Sequence, residues 1–168
     1  MAWIVFGALT VVFVLVITIS LCHISAKADG EAHEPWVKYP VPLDDDLQKH
    51  IARLCKEYGI SPEIVLAIIG TESRYSADVI GDNGNSYGLM QINQKWHTDR
   101  MARLGVDNLL NPYKNVRVGI DFLAELLDRY DLDGALQYYN SGSPDAAPEY
   151  AYKVIRMSEC NLEGAMIQ

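Results

Sequence analysis

The chain has 168 residues, 49% of them hydrophobic, and a formal net charge of −8 from 14 Lys and Arg against 22 Asp and Glu. With an apolar leader set aside, roughly 140 residues remain, enough for one domain with a substantial core. Because no basic cluster occurs in the sequence, nucleic acid and anionic membrane surfaces are poor partners, whereas a neutral or mixed-charge polymer is compatible with it.

An uncharged apolar segment runs from Ala2 to Cys22, and the first charged residue is Lys27. At about 1.5 Å per residue, a helix of this length spans a hydrocarbon core of about 30 Å. Ala26-Lys27-Ala28 also has the small-x-small form of a cleavage site. Residues 1–28 are therefore predicted to be a signal anchor, with a cleavable signal peptide as the alternative. The rest of the chain is then either on the outer face of a cell membrane or secreted to the cell wall.

Residues 29–42 contain three prolines and no apolar period, which predicts a linker or extended arm before a folded domain over 43–168. A first helix is predicted to begin at three consecutive aspartates, Asp44 to Asp46, and to run to Tyr58, where Gly59 ends it. Ser61-Pro62 then begins a second helix, which runs to about Glu72 or Ser73. Because this second helix is apolar nearly all round, we expect it in the middle of the fold.

Residues 76–93 are rich in glycine and turn signals and predict a loop that has room for a short hairpin. No strong alternating strand pattern occurs elsewhere in the exported part. The fold class is therefore predicted to be all-α, or mostly α with a short hairpin or loop insertion. Further helices are predicted over about 95–104, from Asn111-Pro112 to about Tyr130, over about 132–140, and from Tyr150 to about Cys160.

The cysteines of the exported part, Cys55 and Cys160, are open to two interpretations. They can pair in an oxidising compartment, or Cys55 can be a plain buried thiol, since it fits an apolar helix stripe. Neither has a His or a second Cys at metal-ligand spacing, and the four histidines are scattered. We therefore predict no metal site and no cofactor, and no catalytic role for either cysteine.

Glu72 stands at the end of the most hydrophobic helix of the exported part. On a helix it shares a face with Val65, Ile68 and Ile69, so its carboxyl extends an apolar stripe. A carboxyl held against apolar groups resists ionisation, and its pKa rises. A carboxylic acid that is still protonated near neutral pH can act as a general acid, although a glutamate at a frayed helix end is the plainer alternative.

Four stretches follow one another in the order "TESRY", "SYGLMQIN", "NPYKNVRVGIDFLAELLDRY" and "ALQYYNSG". Together they resemble the soluble lytic transglycosylase (SLT) domain family, which has a goose-type lysozyme-like fold. The resemblance extends from about Leu47 to about Met157. It implies a peptidoglycan-cleaving enzyme that acts on glycan strands without a cofactor. By analogy with the family, a secretion or conjugation apparatus is a candidate partner.

The resemblance also implies roles for individual residues. Glu72 is expected to be the single catalytic acid and base, and Ser73 to orient Glu72 or a substrate amide. Tyr139 is expected to approach Glu72. The residues expected to bind the glycan strand are Ser73, Gly88, Met90, Gln91, Tyr139 and Asn140. Tyr138 stands where many members have a small residue, so the sequence leaves the shape of that subsite open.

In the implied reaction, Glu72 protonates the oxygen between N-acetylmuramic acid and N-acetylglucosamine and then accepts the proton of the muramic C6 hydroxyl, which leaves a 1,6-anhydro end. Two alternatives stay open. A lysozyme that transfers to water would use a second carboxylate, for which Asp78 and Asp82 are the candidates, although a plain turn role suits both. A non-catalytic glycan-binding assembly protein is the other alternative, but such a protein has no need for Glu72.

Overall fold

The computed structural model describes residues 36–166, so the predicted anchor or signal segment at 1–28 lies outside the described residues. Within 36–166, no helix has both the length and the apolar character needed to cross a membrane. The described part is mostly helical with one small sheet, as predicted. Its elements are α1 (Asp45–Tyr58), α2 (Pro62–Ser73), β1 (Ile80–Gly81), β2 (Ser86–Tyr87), β3 (Ile92–Asn93), α3 (Thr98–Leu104), α4 (Pro112–Leu127), α5 (Leu132–Ser141) and α6 (Glu149–Met166).

The first two helices begin and end where the sequence predicts. The side chain of Asp44 accepts a hydrogen bond from the Leu47 amide at 2.8 Å, and Gly59 ends α1 at φ 68°. Helix α2 carries an unbroken buried run over 64–70, which confirms its place in the middle of the core. Its main packing partner is α6.

The later helices begin or end a few residues away from their predicted bounds. Helix α3 begins at Thr98, after the predicted 95, because the amides of Trp96 and His97 both bond back to the Asn93 carbonyl in a turn. Helix α4 ends at Leu127, before the predicted Tyr130. Helix α6 continues past Cys160 to Met166, since Asn161 is still buried on its packed face.

The loop of residues 76–93 contains a three-stranded antiparallel sheet, one strand more than the predicted hairpin. Ile80 pairs with Tyr87 and Ser86 with Asn93, and a 3-10 turn over Asp82–Gly84 joins β1 to β2. Strands of two residues leave almost no alternating pattern in the sequence. The sheet forms one side of the groove described below.

The segment 37–42, predicted as linker or extended arm, belongs to the folded unit, which begins at Val37. Tyr39 is 5% exposed, and its backbone exchanges hydrogen bonds with the side chain of Gln48 at 2.9 and 3.3 Å. Its hydroxyl donates to Glu63 on α2. Of the two predicted alternatives, residues 37–42 correspond to the extended arm, which one buried tyrosine fixes to α1 and α2 without any apolar period.

Cys55 is buried and Cys160 is exposed, and both are free thiols. The disulfide alternative is therefore not realised. Burial raises the pKa of the Cys55 thiol to about 12, which keeps it protonated and unreactive near neutral pH.

Candidate active site

A groove of about 1110 Å³ runs beside the end of α2. Its walls come from the small sheet, the turn before α3, and helices α3, α4 and α5. The groove brings the candidate acid together with aromatic and amide side chains. Among its lining residues are Glu72, Gln91, Trp96, Phe122, Tyr139 and Asn140.

Glu72 lies in the last turn of α2, where the chain leaves the helix through two residues in the left-handed region, Arg74 at φ 53° and Tyr75 at φ 68°. Burial raises the pKa of its carboxyl above the ordinary value. A hydrogen bond from Tyr150 and the charge of Lys153 oppose the rise without cancelling it. The predicted upward shift is therefore found, and its cause is desolvation.

Tyr150 is the nearest polar partner of the candidate acid. Its hydroxyl donates to Glu72 Oε1 at 2.5 Å from the first turn of α6. Burial raises the pKa of Tyr150, so the phenol keeps its proton and stays a donor. On α2, a Cβ at Gly70 would lie 2.7 Å from Met157 Sδ, so this glycine allows α6 to pack closely.

Sequence reasoning missed Tyr150. The signal was its helical spacing: Tyr150, Val154 and Met157 are four and three residues apart and share the face of α6 that packs on α2.

Tyr139 lines the groove together with Glu72. Burial, followed by the charge of the Glu72 carboxylate, raises the pKa of the Tyr139 phenol well above the ordinary value. The Tyr139 hydroxyl donates to the Met90 carbonyl at 2.8 Å, and its ring lies 5.3 Å from the Phe122 ring. Tyr139 therefore connects α5 to the loop beside the candidate acid. Asn140, next in the chain, is exposed on the groove wall with its amide available to a ligand.

Gly88 and Met90 are buried and do not line the groove, which corrects the expectation for both. Gly88 has φ 72°, and a Cβ there would lie 2.5 Å from the Leu109 carbonyl and 2.6 Å from Asn115 Nδ2. Met90 is fully buried, with its sulfur against Gly119 of α4. Both residues hold the loop against the core.

The buried amide of Asn115, on α4, bonds to the backbone of the loop that contains Gly88 and Met90. The sequence did not predict this role. Its Nδ2 donates to the Tyr87 carbonyl at 2.7 Å and to the Leu109 carbonyl at 2.9 Å, and its Oδ1 accepts from the Met90 amide at 2.8 Å. The sequence signal was an asparagine on the buried face of α4, where a side chain must satisfy its polar atoms internally.

Gln91 does line the groove, in the left-handed region at φ 46°. Its Nε2 donates to the carbonyls of Val79 at 3.1 Å and Gly88 at 2.9 Å, so both amide protons are used inside the loop. Non-glycine residues with positive φ also occur at Asp82 and Asn83. Backbone strain of this kind often collects around functional sites.

Ser73 is 5% exposed, and its hydroxyl donates to the Ile69 carbonyl at 3.1 Å. The hydroxyl is thus bonded within α2 and not to the Glu72 carboxyl, so the role in orienting Glu72 or a substrate amide stays a prediction. On a helix the carbonyl one turn back is the nearest acceptor for a serine hydroxyl.

Asp82 lines the groove, but its carboxylate accepts from Asn93 Nδ2 at 3.0 Å, and its backbone carbonyl accepts from the Asn85 side chain at 2.8 Å. Asp78 is exposed and is not part of the groove wall. The predicted turn role describes the contacts of Asp82 well. Tyr138 also lines the groove, with its ring stacked on Tyr130 at 5.6 Å.

A cluster of charges fixes α3 on α4 along the groove. Arg100 donates to Asp121 and Glu125, and Arg103 donates to Asp121 at 2.6 Å. Beside them, His97 packs edge-on against Phe122 at 4.5 Å. Burial, with the neighbouring Arg100 charge, lowers the pKa of His97 to about 4, so its ring is neutral near neutral pH.

Comparison with known proteins agrees with the family resemblance of the sequence motifs. The model of the family described as "Transglycosylase SLT domain" matches residues 50–153. "Membrane-bound lytic murein transglycosylase C" of Actinobacillus pleuropneumoniae serotype 5b is 34% identical over 110 residues, covering 55% of this chain and 30% of that protein. The "X polypeptide" of Escherichia coli is 33% identical over 94 residues, covering 52% of this chain and 55% of that protein. The chain thus spans about a third to about half of these curated relatives.

Among solved structures, an inactive Glu-to-Gln mutant of lytic transglycosylase Slt from Pseudomonas aeruginosa aligns with a TM-score of 0.53 at 19% identity. The alignment covers 74% of this chain and 23% of that one. At this identity the likeness establishes the lysozyme-like fold predicted from the motifs.

Proposed function

The chain belongs to the transglycosylase SLT domain family, and on that basis we propose that it is a lytic transglycosylase of peptidoglycan. It cleaves the β-1,4 bond between N-acetylmuramic acid and N-acetylglucosamine and leaves 1,6-anhydro ends. The observation that supports this most is one desolvated carboxyl, Glu72, on the wall of a groove of about 1110 Å³ with a phenol donor beside it. Mass analysis of the products released from peptidoglycan tests the proposal.

In the first half-step, protonated Glu72 donates to the glycosidic oxygen as the bond to the muramic C1 breaks. The raised pKa makes the protonated form available closer to neutral pH than for an ordinary glutamate. The acetamide of the muramic ring stabilises the positive charge that develops at C1. No second protein carboxylate is required for this step.

In the second half-step, ionised Glu72 accepts the proton of the muramic C6 hydroxyl while the oxygen of that hydroxyl bonds to C1. The hydrogen bond from Tyr150 stabilises the carboxylate during the interval between the two half-steps. The ring closes, and Glu72 is again protonated for the next cycle. One group thus gives and recovers a single proton.

Within the proposed complex the binding residues have two kinds of role. Asn140 and Gln91 lie on the groove wall and contact the strand. Gly88 and Met90 act from the core by holding the loop, while Tyr139 fixes that loop to α5. Ser73 acts through the end of α2, because its hydroxyl is bonded within that helix.

Hydrolysis is the second candidate function, and the observation that favours it is the presence of Asp82 on the same groove wall. Enzymes that transfer a sugar to water generally place two carboxyl groups around the bond. The carboxylate of Asp82 is exposed and bonded to Asn93, which suits a turn residue better than a base that activates water. The transglycosylase proposal is therefore preferred.

Replacing Tyr150 by phenylalanine should raise the pKa of Glu72 further, because the hydrogen bond that it removes favours the ionised form. The alkaline limb of the kcat/KM profile should then move to higher pH, and the maximal rate should fall as the carboxyl loses its positioning contact. Rate profiles across pH measure both effects. Tyr152→Phe, two residues along on the exposed face of α6, is the control and should leave the profile in place. An unshifted alkaline limb in Tyr150→Phe would rule out this role.

We also propose that the domain works outside the cytoplasmic membrane, because no charged residue occurs from Ala2 to Cys22. Protease added to intact protoplasts should then degrade the domain. If the leader is an anchor, membranes washed in high salt should retain the protein, whereas release of a shortened form indicates cleavage near Ala28. Complete protection from the protease would contradict the location itself.

A further inference from the structure

Trp96 is a solvent-exposed aromatic residue at the groove. Its side chain is 76% exposed, although tryptophan is the largest apolar side chain, and it lies on the same groove wall as Glu72. Neither the core nor the proposed proton transfers use it. An exposed aromatic ring beside a binding groove indicates a ligand surface.

The turn that carries Trp96 is held firmly. The amides of Trp96 and His97 both donate to the Asn93 carbonyl at 3.2 Å, and the His97 ring packs against Phe122. One turn further on, Arg100 is bonded to Asp121 and Glu125. The indole is therefore presented on a fixed backbone, which lowers the entropy lost when a ligand binds.

The electrostatic character of the ring fits a sugar. The Lys95 ammonium lies 5.7 Å from the indole centroid, so the ring attracts positive charge. The faces of a pyranose present C–H groups, which are only weakly polarised and carry a small partial positive charge on hydrogen. The sugar ring presents no ionic group to the acidic chain. A flat aromatic ring and the C–H face of a sugar are thus complementary.

We propose that the indole of Trp96 is a stacking platform for one sugar ring of the glycan strand. The proposal rests on the proposed function for its substrate class and adds a binding residue to that site. It needs no peptide, because the complementary surface is the sugar ring itself.

The test uses the full-length chain with Glu72→Gln, so that binding is measured without cleavage. The probes are the N-acetylglucosamine tetramer, by calorimetry, and purified peptidoglycan, by sedimentation. Adding Trp96→Ala should raise the Kd for both probes by roughly tenfold, the scale of one aromatic contact. Trp96→Phe should retain most of the affinity, and Tyr152→Ala, an exposed aromatic outside the groove, should leave it unchanged.

An unchanged Kd for the tetramer in Trp96→Ala would overturn the platform, and so would an absence of tetramer binding in the Glu72→Gln parent. Loss of binding to peptidoglycan alone would assign Trp96 to the stem peptide and overturn the sugar proposal. Circular dichroism of each variant verifies that it is folded. A Trp96-dependent affinity in a chain whose wild type cleaves no peptidoglycan would support the platform while refuting the proposed activity.

Discussion

Replacement of Glu72 by glutamine should lower the rate of peptidoglycan cleavage by about 10²–10⁴-fold or more, the range for loss of a general acid–base group. Glutamine keeps the size of the side chain and can still accept the hydrogen bond from Tyr150, but it cannot donate or recover the proton. Because one group is proposed to serve both half-steps, no other carboxyl is expected to replace it. Initial rates on purified peptidoglycan measure the effect.

The same substitution should leave the fold intact or stabilise it. A folded-state pKa raised above the unfolded one means that Glu72 contributes stability below its ordinary pKa, and this is lost as pH rises through the folded value. Near neutral pH the thermal midpoint of Glu72→Gln should thus equal or exceed that of the wild type. Asp78→Asn and Asp82→Asn are the matched controls for activity, and each should reduce the rate only slightly. A large loss of folded protein in Glu72→Gln would contradict this account of the site.

Asp121→Asn should lower the free energy of unfolding by about 3–5 kcal/mol, the usual effect of removing one partner from a buried ion pair. Asp121 is 7% exposed and accepts from Arg100, from Arg103 at 2.6 Å, and from the Tyr58 hydroxyl at 3.0 Å. Its loss leaves the Arg100 guanidinium without one of its two carboxylate partners between α3 and α4. Urea unfolding curves measure the change.

The loss of stability caused by Asp121→Asn should become smaller as the pH falls. Burial alone would raise the pKa of Asp121, but hydrogen bonds from Arg103, Arg100 and Tyr58 outweigh it and hold the pKa below the ordinary value. Its stabilising contribution is therefore present above the unfolded pKa and is lost as pH falls through the folded value. The difference between wild type and Asp121→Asn should shrink in acid. Asp107→Asn, which removes an exposed pair with Lys114, is the control and should barely move the unfolding midpoint.

The parts that the sequence predicted are those set by local chemistry. Asp44, Gly59 and Pro62 mark helix ends because capping and backbone geometry act within one turn. The stripe of Val65, Ile68 and Ile69 predicted a desolvated Glu72 because three- and four-residue spacing fixes a helix face. The upward shift of its pKa followed from that face alone.

The parts that were missed depend on contacts between distant segments. The helical spacing of Tyr150 indicates that it lies on a packed face of α6, but its partner Glu72 is fixed only by the packing of α6 across α2. Asn115 and Tyr39 likewise take their roles from partners on other elements. Ser73 and Met90 were given to the groove on motif position, but the position of a residue in a motif does not say which way its side chain points.

The most direct test of the central claim is mass analysis of the muropeptides that the wild-type chain releases from purified peptidoglycan, beside those of Glu72→Gln and Asp82→Asn. The proposal predicts anhydro products, one water lighter than hydrolytic ones, which are lost in Glu72→Gln and retained in Asp82→Asn. Reducing-end products from the wild type, abolished by Asp82→Asn, would contradict it and establish hydrolysis with two carboxylates instead.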